Sequence, residues 1–423
     1  MPCLQSKNPA QTILAGLFFL GEGVGEIEMD ESNATDHRLG VRRAIHAANL
    51  FEQIKAQASR ADTTRSLSKK LITAIKKSDL LRLGASSEIG GKNETLVNIA
   101  NELRAITPLC TSTAWVIWNH TQLFHHTCAL LGPKHTDFLA ERVSNADWFC
   151  QGAGAGTEVK GTRLKTAMRL NGVSAFASGS RYADWTCIIF NMHSPEFTVV
   201  DMKDPKIRVD PTWEAMSVRA SSTDHVYFDG PKVPLSRVVP MPFKDREFHR
   251  NTKHPVINQR YREDWVALSA MWLGAMASGL ADASFNDMST GIKDRIAVFG
   301  TKMADRQSIH LNLGRARSLI NTATDSVYSV LRETDERIAA GIVPTENDYF
   351  RQNSAGMQAI LLSDEAMKLI QRVLGGNGLR EGSNFERYFR DFQAMPLHII
   401  PHTDRITEQY GRLELGLETT NPF

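Results

Sequence analysis

The chain reads as an α+β protein, mostly α, in three consecutive parts. A helical domain spans residues 37–145, a β domain (barrel or sandwich) spans 146–243, a four-helix bundle spans 244–423, and residues 1–36 form an N-terminal extension. Three patterns predict this order. Ala47, Leu50, Phe51 and Ile54 repeat at the i, i+3, i+4, i+7 spacing of one buried helix face. Short apolar runs punctuated by Pro195, Pro205, Pro211 and Gly230 read as strands. Leu313, Ala316, Ile320, Ala323, Val327 and Val330 alternate steps of three and four, as the seam of a helix bundle requires.

Within the first part a second amphipathic segment covers residues 71–83, and Gly90-Gly91 interrupts the chain before another helix begins near Glu94. Residues 112–131 are apolar on most sides, as expected of a helix buried against its own domain and something else. In the β part, Asn171-Gly172 favours the positive φ angles of a two-residue hairpin turn, so a hairpin is expected there. Strands are expected at Trp185–Phe190 and over residues 197–202 and 225–228. From Trp265 onward the pattern is helical again, and Ala366, Leu369, Ile370 and Val373 give a later helix its buried face.

Composition bounds the function. The 423 residues carry 49 Lys+Arg against 47 Asp+Glu, so no strong field invites nucleic acid or an anionic membrane. Five scattered cysteines (Cys3, Cys110, Cys128, Cys150, Cys187) form no CxxC pair, and the simple reading is a reduced cytoplasmic protein. The apolar stretch 13–20 is too short to span a bilayer and is read as part of the extension. No GxGxxG follows an expected strand, so NAD(P)H binding by this chain is not expected.

The chemistry-bearing motifs cluster in two places. Phe176-Ala177-Ser178-Gly179-Ser180-Arg181-Tyr182-Ala183-Asp184-Trp185 places a small hydroxyl beside glycine, which lets a flat ring edge approach closely; the same dipeptide is also ordinary turn punctuation. The last quarter holds Leu374-Gly375-Gly376-Asn377-Gly378, then Glu386-Arg387-Tyr388-Phe389-Arg390-Asp391, then His398 and Gly411-Arg412-Leu413-Glu414-Leu415-Gly416. A glycine loop, an Arg-Asp step and a lone histidine between long helices describe a cofactor pocket on a bundle. That order resembles the acyl-CoA dehydrogenase superfamily, and within it the two-component, reduced-flavin-dependent (group D) monooxygenases.

The resemblance implies a fold of helical domain, β domain and bundle, and assembly as a homotetramer. It implies reduced FMN or FAD supplied by a separate NAD(P)H:flavin reductase, O₂ as co-substrate, and oxygenation of a small aromatic or heteroatom-bearing molecule through a C4a-hydroperoxyflavin. Ser178 would meet the flavin N5 edge; Trp115, Phe176, Gly179, Arg295, Gly375, Gly376 and Asp391 would contact the cofactor. His398 would act as general base or hydrogen-bond donor, helped by His120. On the substrate side stand Gln151, Gly152, Leu123 and His125. Two positions depart from the aromatic hydroxylases: Leu123 stands where they carry a histidine, and Gln151 with glycines replaces their serines, which fits a differently functionalised substrate. Arg260, Arg262 and Arg306 are weaker phosphate candidates, and His402 a weaker alternative to His398. An acyl-CoA or acyl-carrier dehydrogenase remains an alternative: Ile399 occupies one known place of its catalytic glutamate, but Glu263 and Asp264 fall near the other. A catalytically silent scaffold is the third reading.

Overall fold

A computed structural model describes residues 44–152, 157–191, 193–241, 247–297 and 300–419; the extension lies outside the described residues. Five helices come first: α1 (Phe51–Thr64), α2 (Lys69–Lys77), α3 (Leu96–Leu109), α4 (Thr111–Leu131) and α5 (Thr136–Ser144). Eight strands follow: β1 (Phe149–Gly152), β2 (Glu158–Arg163), β3 (Ala167–Ala177), β4 (Trp185–Phe190), β5 (Glu196–Asp201), β6 (Ile207–Asp210), β7 (Asp224–Pro234) and β8 (Val239–Pro240). The rest is helical: α6 (Glu247–Arg250), α7 (Trp265–Ile292), α8 (Gln307–Ala339), α9 (Glu346–Leu374), α10 (Asn384–Phe392) and α11 (Thr403–Glu414).

Local chemistry fixes where the helices begin. Ser68, Thr95, Asp264 and Ser383 each accept a backbone N–H of the first turn they precede, and Thr345 with Asp348 forms a reciprocal capping box. The seam expected on α8 is present, with Ala316, Ile320, Ala323, Val327 and Val330 buried and Leu313 at its edge. α7 is long and apolar enough to cross a bilayer, yet it lies inside the molecule, packed by α3, α4, α8, α9 and α10. Its contact with α9 is backbone to backbone, because a Cβ at Gly356 would stand 2.3 Å from the Ala270 carbonyl oxygen.

The strands form two four-stranded sheets, ordered β1-β4-β5-β8 and β2-β3-β7-β6. Val159, Met168, Leu170, Ile188, Phe190, Val200, Val226 and Phe228 pack between them, so the domain is a sandwich. The outer face of the first sheet is covered by α4 and α5 through Leu123, Phe124, Leu139, Phe149, Cys187, Phe197 and Val199.

The expected hairpin at Asn171-Gly172 does not form. Both residues lie in mid-strand in β3, opposite Lys160 and Val159, and the β2–β3 turn comes earlier, closed by the Leu164 N–H to the Ala167 carbonyl at 2.8 Å. Gly172 has φ +130°, and a Cβ there would stand 1.9 Å from the Glu158 carbonyl oxygen. Glycine serves a close strand approach here, beside a register shift between Arg169 and Asn171. The dipeptide that suits a tight turn also suits a bulge.

Candidate active site

All twenty-one residues of α4 are buried, between the first sheet on one side and α7 on the other. Trp115 on this helix joins the two motif clusters. Its indole Nε1–H donates to Ser178 Oγ at 3.2 Å, and its ring lies edge-on to His398, centroids 5.5 Å apart. Trp118 meets the same imidazole at 5.1 Å and donates its own N–H to the Ser269 carbonyl of α7. Residues far apart in sequence thus share one aromatic corner where sandwich meets bundle.

Ser178 belongs to a buried hydroxyl chain: Ser178 Oγ to Thr223 Oγ1 is 2.9 Å, and Thr223 Oγ1 to Ser221 Oγ is 2.7 Å. Around it the backbone is strained, with Phe176 (φ +55°), Val218 (φ +40°) and Ser222 (φ +49°) left-handed. Such conformations cost about 1–3 kcal/mol each and persist only where surroundings dictate them. The surroundings here are polar handholds. Asp391 Oδ1 accepts the Val218 N–H at 2.7 Å, Ser112 Oγ accepts that of Ala220, and the Tyr182 hydroxyl donates to the Ala220 carbonyl. Thr223 also floors an open cleft of about 310 Å³ lined by Phe176, Trp213 and His225, within the ~300–1,000 Å³ usual for small-molecule sites. Phe176 is 51% exposed and stands at the mouth of this cleft, edge-on to Trp213.

His398 Nδ1 accepts the Ile400 backbone N–H at 3.2 Å. In the neutral ring the proton therefore sits on Nε2, which makes the side chain a donor. Its packing against the two tryptophans withdraws it from water and lowers its pKa to about 4, so it stays neutral at pH 7.

Four of the expected site residues have structural duties instead. His120 is not available as a base: its Nε2 is bound to the Leu81 carbonyl at 2.9 Å and its Nδ1 accepts the Phe149 N–H at 3.0 Å, with burial holding its pKa at about 4. His125 does not face the site, because its Nε2 is bound to the Glu263 carbonyl, and Leu123 is part of the apolar cluster under the first sheet. Asp391 is buried on the Val218 N–H, and desolvation raises its pKa to about 6; it holds the strained segment and is no cofactor ligand in this arrangement. Gln151 is half-buried on the α4-facing side of β1, and Gly152 ends that strand, paired with Ile188. Gly179 lies by Cys150 and Val116, its N–H on the Ser221 carbonyl.

The phosphate candidates separate. Arg295 donates to the Leu374 carbonyl at 2.9 Å and, with the Asn377 amide oriented to accept, reaches its oxygen at 3.1 and 2.6 Å, so Arg295 and the exposed Gly375-Gly376 loop form one surface. That surface lies at the N-terminal end of α10, about 13 Å of helix from the Asp391 end. Arg260 is spent on Asn93 and the Glu94 carbonyl, and Arg262 on Gln259 and the carbonyls of Asn251 and His254; Arg306 binds Thr301 on the surface.

The dehydrogenase alternative loses its candidate bases. Both Glu263 oxygens are taken, by Arg337 at 3.1 and 2.8 Å and by Gln352 at 2.8 Å, and Asp264 caps α7. Sequence reasoning missed Thr223, Ser221 and Trp213; the polar run Ser221-Ser222-Thr223 before a strand was their only signal.

A helical domain, a sandwich and a helix bundle meeting at a tryptophan-lined corner define an acyl-CoA dehydrogenase-type flavoprotein fold. Residues 271–402 match the family described as acyl-CoA dehydrogenase, C-terminal domain. Along nearly its whole length the chain is similar to a pigment production hydroxylase of a Rhodococcus species, 24% identical over 90% of this chain and 97% of that one. It is also similar to the oxygenase component of p-hydroxyphenylacetate 3-hydroxylase from Acinetobacter baumannii, 23% identical over 90% of each chain. Among solved structures, XiaF from a Streptomyces species, in complex with FADH2 and glycerol, superposes with a TM-score of 0.80 at 19% identity, covering 92% of this chain and 98% of that one. Residues 271–402 thus carry an acyl-CoA dehydrogenase C-terminal domain, and the chain's full-length relatives include proteins named as hydroxylases and as hydroxylase oxygenase components.

Proposed function

We propose that this protein is the oxygenase component of a two-component flavin-dependent monooxygenase. It takes reduced FMN or FAD from a separate NAD(P)H:flavin reductase and uses O₂ to oxygenate a small aromatic or heteroatom-bearing molecule. The observation that carries this reading is Trp115, whose indole N–H holds Ser178 while its ring meets His398. The residues suit a flavin: a flat ring finds an aromatic corner, a buried hydroxyl and an open cleft, and the Arg295 and Gly375-Gly376 surface offers a cation and bare backbone for a phosphate-bearing tail.

When bound, the reduced flavin would supply the two electrons with which O₂ is split, one oxygen atom going to substrate and one to water. The chain's own residues then have separable tasks. Because Ser178 Oγ accepts from Trp115, its proton is free to be donated to Thr223 or to a ring nitrogen at the flavin edge. Trp115 and Trp118, 4% and 0% exposed, exclude water from that edge. His398 presents Nε2–H, neutral at pH 7, as a donor toward the oxygen being transferred or the substrate's own oxygen. Of the two roles open to it, the hydrogen bond at Nδ1 favours donor over base.

Assembly as a homotetramer and a cytoplasmic location complete the reading. Exposed Leu379, Leu397 and Ile399, 68%, 79% and 51% accessible, support contact with a second copy near the glycine loop and His398. The decisive experiment is anaerobic titration of the purified protein with reduced FMN and reduced FAD, followed by mixing with oxygenated buffer. Association of one of them is expected, with NADH-dependent turnover only when a reductase is added. No association with either would remove the reading and leave the scaffold alternative. Tight oxidised FAD bleached by an acyl thioester would replace it with the dehydrogenase.

A further inference from the structure

α4 carries a polar ladder that nothing among the described residues satisfies. Both amide atoms of Asn119, both of Gln122 and both ring nitrogens of His126 have no hydrogen-bond partner among the described residues, although the three side chains are 1%, 0% and 2% exposed. At 3.6 residues per turn all three project within about 40° of Trp115, so they continue the same stripe of the helix. Its flanks are accounted for. On one side His120 and Thr127 bind Phe149 and Cys187 of the first sheet; on the other Trp118 and His125 bind the Ser269 and Glu263 carbonyls near the start of α7. The stripe therefore faces the seam where the first sheet meets the start of α7, beginning at the aromatic corner and ending where His126 packs on Phe197 and Trp265 at 5.1 and 4.6 Å.

Six stranded polar groups in one buried row are not what a packed interior tolerates. Native proteins leave few, because each forfeits its hydration. Nor do they serve helix stability, since leucine or methionine would pack there without that penalty. Their chemistry describes what they are for. Asn and Gln each offer a carbonyl acceptor and an N–H donor, and neutral imidazole offers one of each. None is charged, and burial keeps His126 neutral by lowering its pKa far below the usual value. From Trp115 to His126 the helix rises about 16 Å, several ring widths.

We propose that Asn119, Gln122 and His126 are specificity-determining residues that bind an elongated, uncharged, flat substrate carrying hydroxyl, carbonyl or amide groups at two or more points along its length. The location beside Trp115 makes this the substrate arm of the oxygenase reading and rests on it, whereas the binding itself can be measured without flavin.

The test uses the full-length protein and two naphthalene probes of one shape: 2,6-dihydroxynaphthalene, neutral with a hydroxyl at each end, and 2,6-naphthalenedicarboxylate, its anionic counterpart. Quenching of tryptophan fluorescence reports binding, since Trp115 and Trp265 flank the ladder. The neutral probe is expected to bind at least about tenfold more tightly than the dianion. Asn119→Leu and Gln122→Met keep side-chain volume and are expected to weaken the neutral probe about tenfold each, while raising the melting temperature of the ligand-free protein. A purely structural role predicts the opposite, a lower melting temperature with unchanged probe affinity. That result, or failure of both probes to bind the parent protein, overturns the proposal; so does probe affinity insensitive to both variants, which would mean that ordered water alone serves the ladder. Reduced FMN and reduced FAD binding are followed in parallel: variants that retain flavin while wild type ignores the probes sink the ladder and spare the oxygenase, whereas loss of flavin binding in the parent protein sinks the oxygenase itself.

Discussion

At the scale of single residues, the proposed function divides the chemistry between Ser178 and His398, and each can be removed without touching the other. Ser178→Ala leaves the Trp115 N–H without its acceptor, at a cost of about 1–3 kcal/mol, and deletes the proton held toward the flavin edge. Peroxide released per NADH consumed, measured in the reductase-coupled assay, is expected to rise several-fold; unchanged coupling would take Ser178 out of the mechanism. His398→Ala should leave reduced-flavin affinity within about threefold of wild type and slow product formation by about 10²-fold, the lower end for loss of a positioned proton donor. A product rate equal to wild type in single turnover would dismiss the histidine. The sequence pointed to these two residues through motif order. It could not show that His120 and His125 were occupied, because the carbonyls that bind them, Leu81 and Glu263, belong to distant segments with no side-chain signature. Histidine on a buried helix looks the same on paper whether its nitrogens are spent or free.

Among elements, the close pair α7 and α9 decides whether the corner keeps its shape. Trp118 hangs from the Ser269 carbonyl of α7, and the next residue's carbonyl is the one that faces Gly356. Gly356→Ala would drive a methyl into that carbonyl and push the helices apart, with an expected loss of about 1–3 kcal/mol or more. Urea denaturation gives the number, and a loss below about 0.5 kcal/mol, the level of an indifferent surface change, would refute the close approach. Helices of this kind were legible: the seam on α8 and the buried face on α9 follow from spacing alone. Strand pairing was less so. Asn171-Gly172 was misplaced because a turn and a bulge ask the same backbone freedom of glycine, and only the approach of Glu158 on β2 tells them apart. The irregular stretch between β6 and β7, which supplies Thr223 and Trp213, has no periodicity to read; tertiary handholds from Arg65, Tyr182, Arg390 and Asp391 give it form.

For the whole molecule, enclosed imidazoles set the response to acid. His120 and His398 have pKa values lowered to about 4, His125 to about 3, and that of His126 lies well below the usual value, all by burial. The unfolded chain takes up these protons near pH 6.5 and the folded chain does not, so stability is lost as pH falls from about 6.5 towards 4 and is fully present above that window. Each enclosed ring contributes up to about 1.4 kcal/mol per pH unit there, and half-buried His398 less. Asp391, raised to about 6, acts in the opposite sense: its stabilising share is present below about 3.8 and disappears as pH rises through 6, which offsets one ring. Unfolding midpoints at pH 5.0 and 7.5 should differ clearly in favour of the higher pH, and equal midpoints would contradict the burial of these rings.

Among the described residues, α4 is the one α-helix with no outward side, every residue being shielded by helical domain, sandwich or bundle. It works as a shared keel: none of the three bodies keeps its apolar flank covered if another is removed, so excised fragments should aggregate instead of folding, and the catalytic corner comes into being only when the last long helix docks. Altering what the enzyme accepts by changing this keel will accordingly be felt in assembly of the entire chain, whereas the half-exposed ring of Phe176 at the rim can vary with less structural consequence.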